Sequence, residues 1–353
     1  MTTSNPNAPS SGQESLDRRL LAAAEEGDPQ EIKKLLALGA SARAVSESMD
    51  QATALCYAAR VSRECVELLL PVSDPKHNGT FGTPLHFAAF AEKPECLEAL
   101  IPHCDALARD SFGDTALMDA ARGHSVRCVE LLIPASDANA RSERLEHQSK
   151  NAFMLAMKNH PGPIVGEIAK RLADATQDLN ARDGKGKTAL MAGVERALEF
   201  DWRESSETAA YEMLLGRVDA NLRGNRGLTA LDRAVEEHAL AHVKKLLPFT
   251  DVRAEHEGKC AIDRAVEEGC WPVVDFLAPF SSREKADHAF LQAGVGDMPA
   301  WAAFLESEEL QRTVEDVTRA RGVEDAKSPA AQEAAEKGSK TEKGSKKRSP
   351  RSL

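Results

Sequence analysis

The hydrophobic positions of residues 110–141 form two short blocks with helical spacing, separated by a break. The first block spans residues 115–122, the second spans residues 126–133, and Gly123 begins the break between them. Pro134 follows the second block, and because proline cannot continue a helix, the pattern predicts a pair of short helices that ends there. Two such helices cannot bury their own apolar faces, so this unit of about 32 residues requires neighbours of the same kind.

The same unit recurs along most of the chain. Each copy has an anchor residue at the start of its first helix, and the anchors are Thr53, Thr83, Thr115, Asn151, Thr188, Thr229 and Cys260. Successive anchors are 30, 32, 36, 37, 41 and 31 residues apart. A proline lies 19 residues after four of the anchors and 18 residues after Thr53. This regularity predicts a repeat array rather than two ordinary domains.

Three copies carry a recognisable motif. Thr83–Ala89 reads TPLHFAA, Thr115–His124 reads TALMDAARGH and Gly227–Val235 reads GLTALDRAV. These segments resemble the ankyrin repeat family, and the resemblance extends over about residues 16–280. It implies an all-α solenoid of about eight helix-turn-helix repeats with short hairpin loops. It also implies that His86 ties its repeat together by hydrogen bonds and is not a catalytic residue.

Composition divides the chain into four parts. Residues 1–14 are rich in Ser, Asn and Pro, and we expect them to be disordered. Residues 15–280 hold the repeat array, and residues 281–322 are expected to form a helical C-terminal cap. Residues 323–353 are basic and of low complexity, so we expect a disordered tail.

Charge is distributed unevenly along the chain. The whole chain has a formal net charge of −11, whereas residues 337–353 carry seven basic residues and one acidic residue. The excess negative charge argues against binding of nucleic acid or of an anionic membrane by the folded part. It leaves only weak nucleic-acid binding through the basic tail. Three roles stay open for this tail: a solvating segment, a nuclear-import-like address, or a weak electrostatic arm.

The seven cysteines indicate a reducing compartment. Cys65, Cys96 and Cys128 occupy equivalent positions in successive second helices, so we expect small buried apolar residues rather than disulfides. A chain without a disulfide framework is typical of the cytoplasm, where we place this one. No stretch approaches 18 apolar residues and the N-terminal segment lacks an apolar run, so we expect neither a membrane span nor a secretory signal.

Two patterns suggest chemistry, and each has a simpler structural interpretation. His238 and His242 have the spacing of two ligands on one helix face, and His256 follows them, so a metal site or a cryptic enzyme site there is an alternative hypothesis. The simpler interpretation places these residues in the turns and core of their repeats. Residues 183–188 (DGKGKT) lack the spacing of a phosphate-binding loop and predict a hairpin tip. The sequence therefore predicts no catalytic residue, no metal ligand and no cofactor.

The expected binding surface consists of exposed first-helix positions and hairpin tips, which line one side of such an array. In repeats two to four these positions are rich in aromatic residues and arginine, the usual anchors of protein interfaces. The predicted partner-binding residues are Tyr57, Arg60, Phe81, Phe87, Phe90, Phe112, Asp119, Arg122 and Lys158. For Tyr57 and Phe87, burial between repeats is an equal alternative. Trp202, in an insertion, is a second candidate anchor.

The leading functional interpretation is a non-catalytic adaptor, scaffold or inhibitor. It would bind an apolar or acidic-flanked segment of another protein on the concave face of the array. The first alternative is the metal-binding protein or enzyme with a site near His238, His242 and His256. A further alternative, which rests on fold analogy alone, is an effector that acts in a host cell.

Overall fold

The computed structural model describes residues 11–143, 149–159, 163–199, 210–282, 285–286 and 288–289. Within these ranges the chain is all-helical, with fifteen α-helices, four short 3-10 helices and no β-strand. The predicted all-α fold is therefore confirmed. Contacts divide the chain into two compact units, Met1–Leu214 and Leu215–Leu353. The number of about eight repeats and the four-part division of the chain stay predictions.

The helices are short in both units. The first unit contains α1 Ser11–Glu26, α2 Pro29–Ala37, α3 Ala54–Ala59, α4 Arg63–Leu69, α5 Pro84–Phe90, α6 Pro94–Leu100, α7 Ala116–Arg122, α8 Val126–Leu132, α9 Ala152–Asn159, α10 Pro163–Ala175 and α11 Ala189–Glu199, and 3-10 helices at Ile133–Ala135 and Ala210–Leu214. The second unit contains α12 Ala230–Glu236, α13 Leu240–Leu246, α14 Ala261–Glu267 and α15 Trp271–Leu277, and 3-10 helices at Leu247–Phe249 and Ala278–Phe280.

The helices of the first unit form two layers. The odd-numbered helices from α1 to α11 each contact the next odd-numbered helix, and the even-numbered helices from α2 to α10 form a second row in the same way. Successive helices such as α3 and α4 also contact each other across the layers. Each layer therefore covers the apolar face of the other. Within the second unit, α12 contacts α14 and α13 contacts α15.

Small side chains allow close packing within both layers. All six residues of α3 are buried, and three of them are alanines. In the second layer Cys65, Cys96 and Cys128 are 0–1% exposed at equivalent positions, which confirms the prediction that they are small buried apolar residues. Burial raises the pKa of each of these thiols.

Some of the anchor residues cap the first helix of their pair through side-chain hydrogen bonds. Thr83 and Thr229 are extended, and each forms a reciprocal capping box with the residue three positions later. Asp232 Oδ2 accepts a hydrogen bond from Thr229 N at 2.9 Å, and Asp232 N donates to the Thr229 hydroxyl at 3.1 Å. In α5, His86 takes the place of the aspartate, because Thr83 N donates to His86 Nδ1 at 3.1 Å. These bonds explain why threonine precedes the first helix at positions 83 and 229.

The second helices end in turns that link one repeat to the next. Pro134 lies inside the 3-10 helix Ile133–Ala135, which continues directly from α8. In the loop that follows, Asp137 Oδ1 accepts a hydrogen bond from Asn139 N at 2.9 Å. Asn139 Oδ1 then accepts one from Gln177 N at 3.0 Å, in the corresponding loop of the next repeat. The Asp-X-Asn pattern in these loops thus serves packing.

The first helix begins inside the stretch that we expected to be disordered. Helix α1 starts at Ser11, four residues before the predicted start of the array. Gln13 Nε2 donates to Asp17 Oδ1 at 2.8 Å and to Gly39 O at 3.0 Å. The second bond ties the start of α1 to the turn that follows α2.

Three expected features lie wholly or largely outside the described residues. Trp202 with most of its insertion, and the whole basic tail at residues 323–353, lie outside the described residues. Of the expected cap at residues 281–322, residues 285–286 and 288–289 are described as helical. The predictions for these features therefore stay predictions.

Candidate functional site

Most of the predicted partner-binding residues meet in one cavity of the first unit. The cavity has a volume of about 350 Å³. It is lined by Asp50, Arg60, Phe81, His86, Phe87, Phe90, Asp110, Asp119 and Arg122, and we call it the aromatic pocket. The residues come from α5 and α7, from the C-terminal end of α3, and from the hairpin tips before α3, α5 and α7. Of the predicted residues, Tyr57, Phe112 and Lys158 do not line it.

Two phenylalanine rings of the aromatic pocket are open to solvent. Phe90, the last residue of α5, is 70% exposed, and Phe81, at a hairpin tip, is 49% exposed. The Phe81 ring lies beside the exposed ring of Phe112, with centroids 6.0 Å apart. Burying such rings under a partner removes apolar area from water, which favours association.

Phe87 lines the inner wall of the aromatic pocket, and Tyr57 packs against it from outside the pocket. Tyr57 and Phe87 are 8% and 7% exposed, and their rings meet edge to face with centroids 6.4 Å apart. The Tyr57 hydroxyl donates to Asp50 Oδ2 at 2.7 Å. Burial raises the pKa of Tyr57, whereas hydrogen bonds from Ser48 and Tyr57 overcome the effect of burial and lower the pKa of Asp50. Neither ring is therefore an exposed anchor. Both rings are buried between repeats, which is the second of the two alternatives that the sequence left open.

Arg122 is held by carboxylates inside the protein. Its Nη1 donates to Asp114 Oδ2 at 2.8 Å, and its Nη2 pairs with Asp119. Asp114 is 0% exposed and also accepts a hydrogen bond from the Ser142 hydroxyl. A buried carboxylate needs such partners, so Arg122 and Asp119 form the floor of the pocket. Both residues were predicted to be exposed, but Asp119 is buried and the Arg122 side chain is only 19% exposed. The reason is that Asp114, which binds Arg122, points into the protein from its hairpin tip, and the sequence pattern does not show this.

Arg60 is the open positive charge of the aromatic pocket. It lies at the C-terminal end of α3 and is exposed. Its guanidinium makes no hydrogen bond or ion pair with any residue that the structure describes. Because Phe90 comes from the next helix of the same layer, the pocket presents a guanidinium and an aromatic ring to the same partner surface.

Three lining residues that the sequence pattern did not indicate shape the pocket from within: Asp50, His86 and Asp110. Asp110 Oδ1 accepts hydrogen bonds from Phe112 N at 2.9 Å and from Asp114 N at 2.8 Å, which form the hairpin tip. His86 Nε2 donates to Asp114 O at 3.2 Å, and burial lowers the pKa of His86. His86 therefore ties its own repeat together through Thr83, as the family resemblance implies, and it also joins this repeat to the next through Asp114. The roles of Asp50 and Asp110 depend on the folded hairpins, so no local signal marks them.

Lys158 lies on α9 beside a second, smaller cavity of about 110 Å³. This cavity is lined by Lys150, Lys158, Asp183, Lys185, Lys187, Ala192, Glu195 and Arg196, and we call it the basic pocket. Lys150 Nζ lies 2.9 Å from Asp183 Oδ2, and both side chains are buried. Lys187 Nζ lies 2.6 Å from Glu195 Oε2. Asp183 Oδ1 also accepts hydrogen bonds from the backbone N–H groups at positions 185 and 187, which makes residues 183–188 the predicted hairpin tip.

The histidines of the metal hypothesis have separate environments. His238 is exposed with a φ of +57°, and His242 is buried. His256 packs against Gly227, where a Cβ would lie 2.0 Å from His256 Nε2. Among the described residues, no group of three His, Cys, Asp or Glu side chains is placed to hold a metal ion. In the same part of the chain, no helix combines the length and the apolar character that crossing a bilayer requires.

Comparison with known protein families gives a match over the first unit. The model of the family described as "Ankyrin repeats (3 copies)" matches residues 20–106, 62–144 and 85–183. These overlapping matches include every residue that lines the aromatic pocket. No curated protein matches the chain at a significant level.

Proposed function

Since residues 20–183 of the chain are matched as ankyrin repeats, we propose that it is a non-catalytic adaptor, scaffold or inhibitor that binds another protein at the aromatic pocket. Ankyrin repeats generally mediate protein–protein interaction. The observation that carries the proposal is the exposure of Phe90 and Phe81 beside the open guanidinium of Arg60. The partner presents an apolar side chain to the rings and an acidic residue to the guanidinium.

The packing beneath the exposed rings supports this proposal. Phe87, which lines the pocket, is packed against Tyr57, and Arg122 is fixed between two carboxylates. A surface that is ordered before its partner arrives loses little conformational entropy on binding. Aromatic and arginine side chains over such a base are the typical hot spots of protein interfaces.

We also propose a cytoplasmic location for the protein. All seven cysteines are free thiols, and all but Cys104 are buried. A full set of unpaired thiols is typical of proteins from reducing compartments.

Quantitative capture of partners from a native lysate tests the proposal. We expect the double variant Phe90→Ala with Arg60→Ala to lose about tenfold or more in affinity for a captured protein, because it removes the exposed ring and the open charge. Both side chains are exposed, so folding should be preserved. The matched control is Leu38→Ala with Arg43→Ala, which truncates an exposed apolar residue and an exposed arginine outside the pocket. Equal capture by both variants would overturn the proposal.

A further inference from the structure

The basic pocket lies on the same row of helices as the aromatic pocket. Phe90 ends α5, and Lys158 lies on α9, with α7 between these helices and in contact with both. Packed helices are about 8–10 Å apart, so about 16–20 Å separate the two helices, a distance that an extended chain covers in about five or six residues. One extended segment of moderate length can therefore reach both pockets.

The charges of the basic pocket are mostly positive. Five cationic side chains line it against the carboxylates of Asp183 and Glu195. Those two carboxylates are already engaged with the ammonium groups of Lys150 and Lys187. The side chains of Lys158 and Lys185 are exposed, and the structure shows no hydrogen bond or ion pair for either ammonium group among the described residues. The basic pocket is therefore a positively charged surface on a chain whose formal net charge is −11.

We propose that the partner segment is bipartite: an apolar side chain enters the aromatic pocket, and two or more carboxylates about five or six residues away along the segment contact Lys158 and Lys185. This inference rests on the proposed function and adds the chemistry and spacing of the partner. Arg60, on the other side of Phe90, binds an acidic residue next to the apolar one. The segment is thus an extended, acidic stretch of polypeptide.

Two other occupants are disfavoured by charge. The basic tail of this chain, residues 337–353, carries seven basic residues against one acidic residue and is repelled by the basic pocket. A nucleic acid would place phosphates along the whole row. The carboxylates of Asp50, Asp110 and Asp119 line the aromatic pocket and oppose that arrangement.

Selection from a displayed library of random peptides of about 16 residues tests the inference, since that length spans both pockets when extended. The full chain serves as bait. We expect the enriched peptides to contain an apolar residue with at least two acidic residues about five or six positions away. For a selected peptide, fluorescence anisotropy should show about tenfold weaker binding to the variant Lys158→Glu with Lys185→Glu, and weaker binding to the wild type at high salt.

The matched control reverses two lysines that line neither pocket. Lys76→Glu with Lys170→Glu makes the same change in net charge at exposed positions, and we expect it to bind the selected peptide as the wild type does. Equal weakening by both lysine variants would show a general charge effect and overturn the inference.

The remaining outcomes separate this inference from the proposed function. Peptides that depend on Phe90 and Arg60 but show no acidic preference would leave the proposed function standing and overturn the bipartite segment. Peptides that bind the variant Phe90→Ala with Arg60→Ala as tightly as the wild type would overturn both the inference and the proposed function. Tighter binding of a labelled thymidine oligonucleotide than of any selected peptide, lost in the Lys158→Glu and Lys185→Glu variant, would overturn the inference in favour of nucleic acid.

Discussion

Arg122 and Asp114 form an ion pair at the floor of the aromatic pocket, with 2.8 Å between Arg122 Nη1 and Asp114 Oδ2. The Asp114 side chain is 0% exposed and that of Arg122 is 19% exposed, so the pair is largely removed from water. The same carboxylate accepts a hydrogen bond from Ser142 in the next repeat. The floor of the pocket is therefore part of the packing between repeats.

Replacing Arg122 should destabilise the protein, whereas replacing Arg60 should not. Arg122→Ala leaves the buried Asp114 carboxylate without its cation, and we expect a loss of about 3 kcal/mol in the free energy of unfolding. Arg60→Ala removes an exposed side chain, so its effect should stay within about 0.5 kcal/mol. Urea unfolding of the two variants measures both losses. An Arg122→Ala variant as stable as Arg60→Ala would contradict the structural role of Arg122.

His86 should make stability depend on pH. Burial lowers the pKa of His86 below its usual value of about 6.5, so the unfolded chain binds a proton at this residue more readily than the folded chain does. The stability that the neutral imidazole contributes is present above about pH 6.5 and is lost as the pH falls from there towards the folded-state pKa. We expect the difference in urea midpoint between the wild type and His86→Asn to shrink between about pH 7.5 and pH 5.5.

The control for this pH effect is His103→Asn, which replaces an exposed histidine of the same unit. Its midpoint should follow that of the wild type over the whole pH range. A constant difference between wild type and His86→Asn would show that the buried imidazole is not the titrating group.

Substitutions at two glycines of the second unit can distinguish the cost of backbone strain from the cost of a steric clash. Gly227 and Gly258 have φ values of +73° and +75°. A Cβ at position 227 would lie 2.0 Å from the His256 ring, whereas no described atom lies within 4 Å of a Cβ at position 258. We expect Gly258→Ala to cost about 1 kcal/mol of backbone strain and Gly227→Ala to cost clearly more. Thermal or urea unfolding measures both, and His256→Ala should recover part of the additional loss. Equal losses would contradict the packing of His256 over Gly227.

The buried thiols should react slowly in the native protein. Burial raises the pKa of Cys96 and of Cys104 to about 12, so neither is a thiolate at about pH 8. Cys104 is half-buried and the other six cysteines are buried. We expect a disulfide reagent to modify at most one thiol quickly in the native protein and all seven in denaturant. Rapid native modification of Cys65, Cys96 or Cys128, located by mass spectrometry, would contradict the packing of the second layer.

Local sequence rules predict the fold because each repeat carries its own boundary signals. Thr83 and Thr229 cap helices through the residue three positions later, and Pro134 marks the end of a second helix. The start of the array was less predictable. The bonds of Gln13 to Asp17 and Gly39 extend α1 into a segment whose composition indicates disorder.

The site was only partly predictable, because exposure depends on partners that are distant in sequence. Arg60 and Phe90 follow from their offset within the repeat and are exposed as expected. Arg122 has the same offset, but Asp114 draws its guanidinium inward. Lys185 was missed because its segment indicates only a hairpin tip, and its closeness to Lys158 depends on the packing of adjacent repeats.

Site-specific photo-crosslinking at position 90 tests the central claim most directly. Phe90 is replaced by benzoyl-phenylalanine, which keeps an aromatic ring there, and Leu38, which is 56% exposed and lies outside the aromatic pocket, is replaced in a second variant. After irradiation in cells, we predict that the variant at position 90 is crosslinked to a discrete partner protein and that the variant at position 38 is not. Crosslinking of the same proteins with equal yield from both positions, or from position 38 alone, would contradict a partner-binding role for the aromatic pocket.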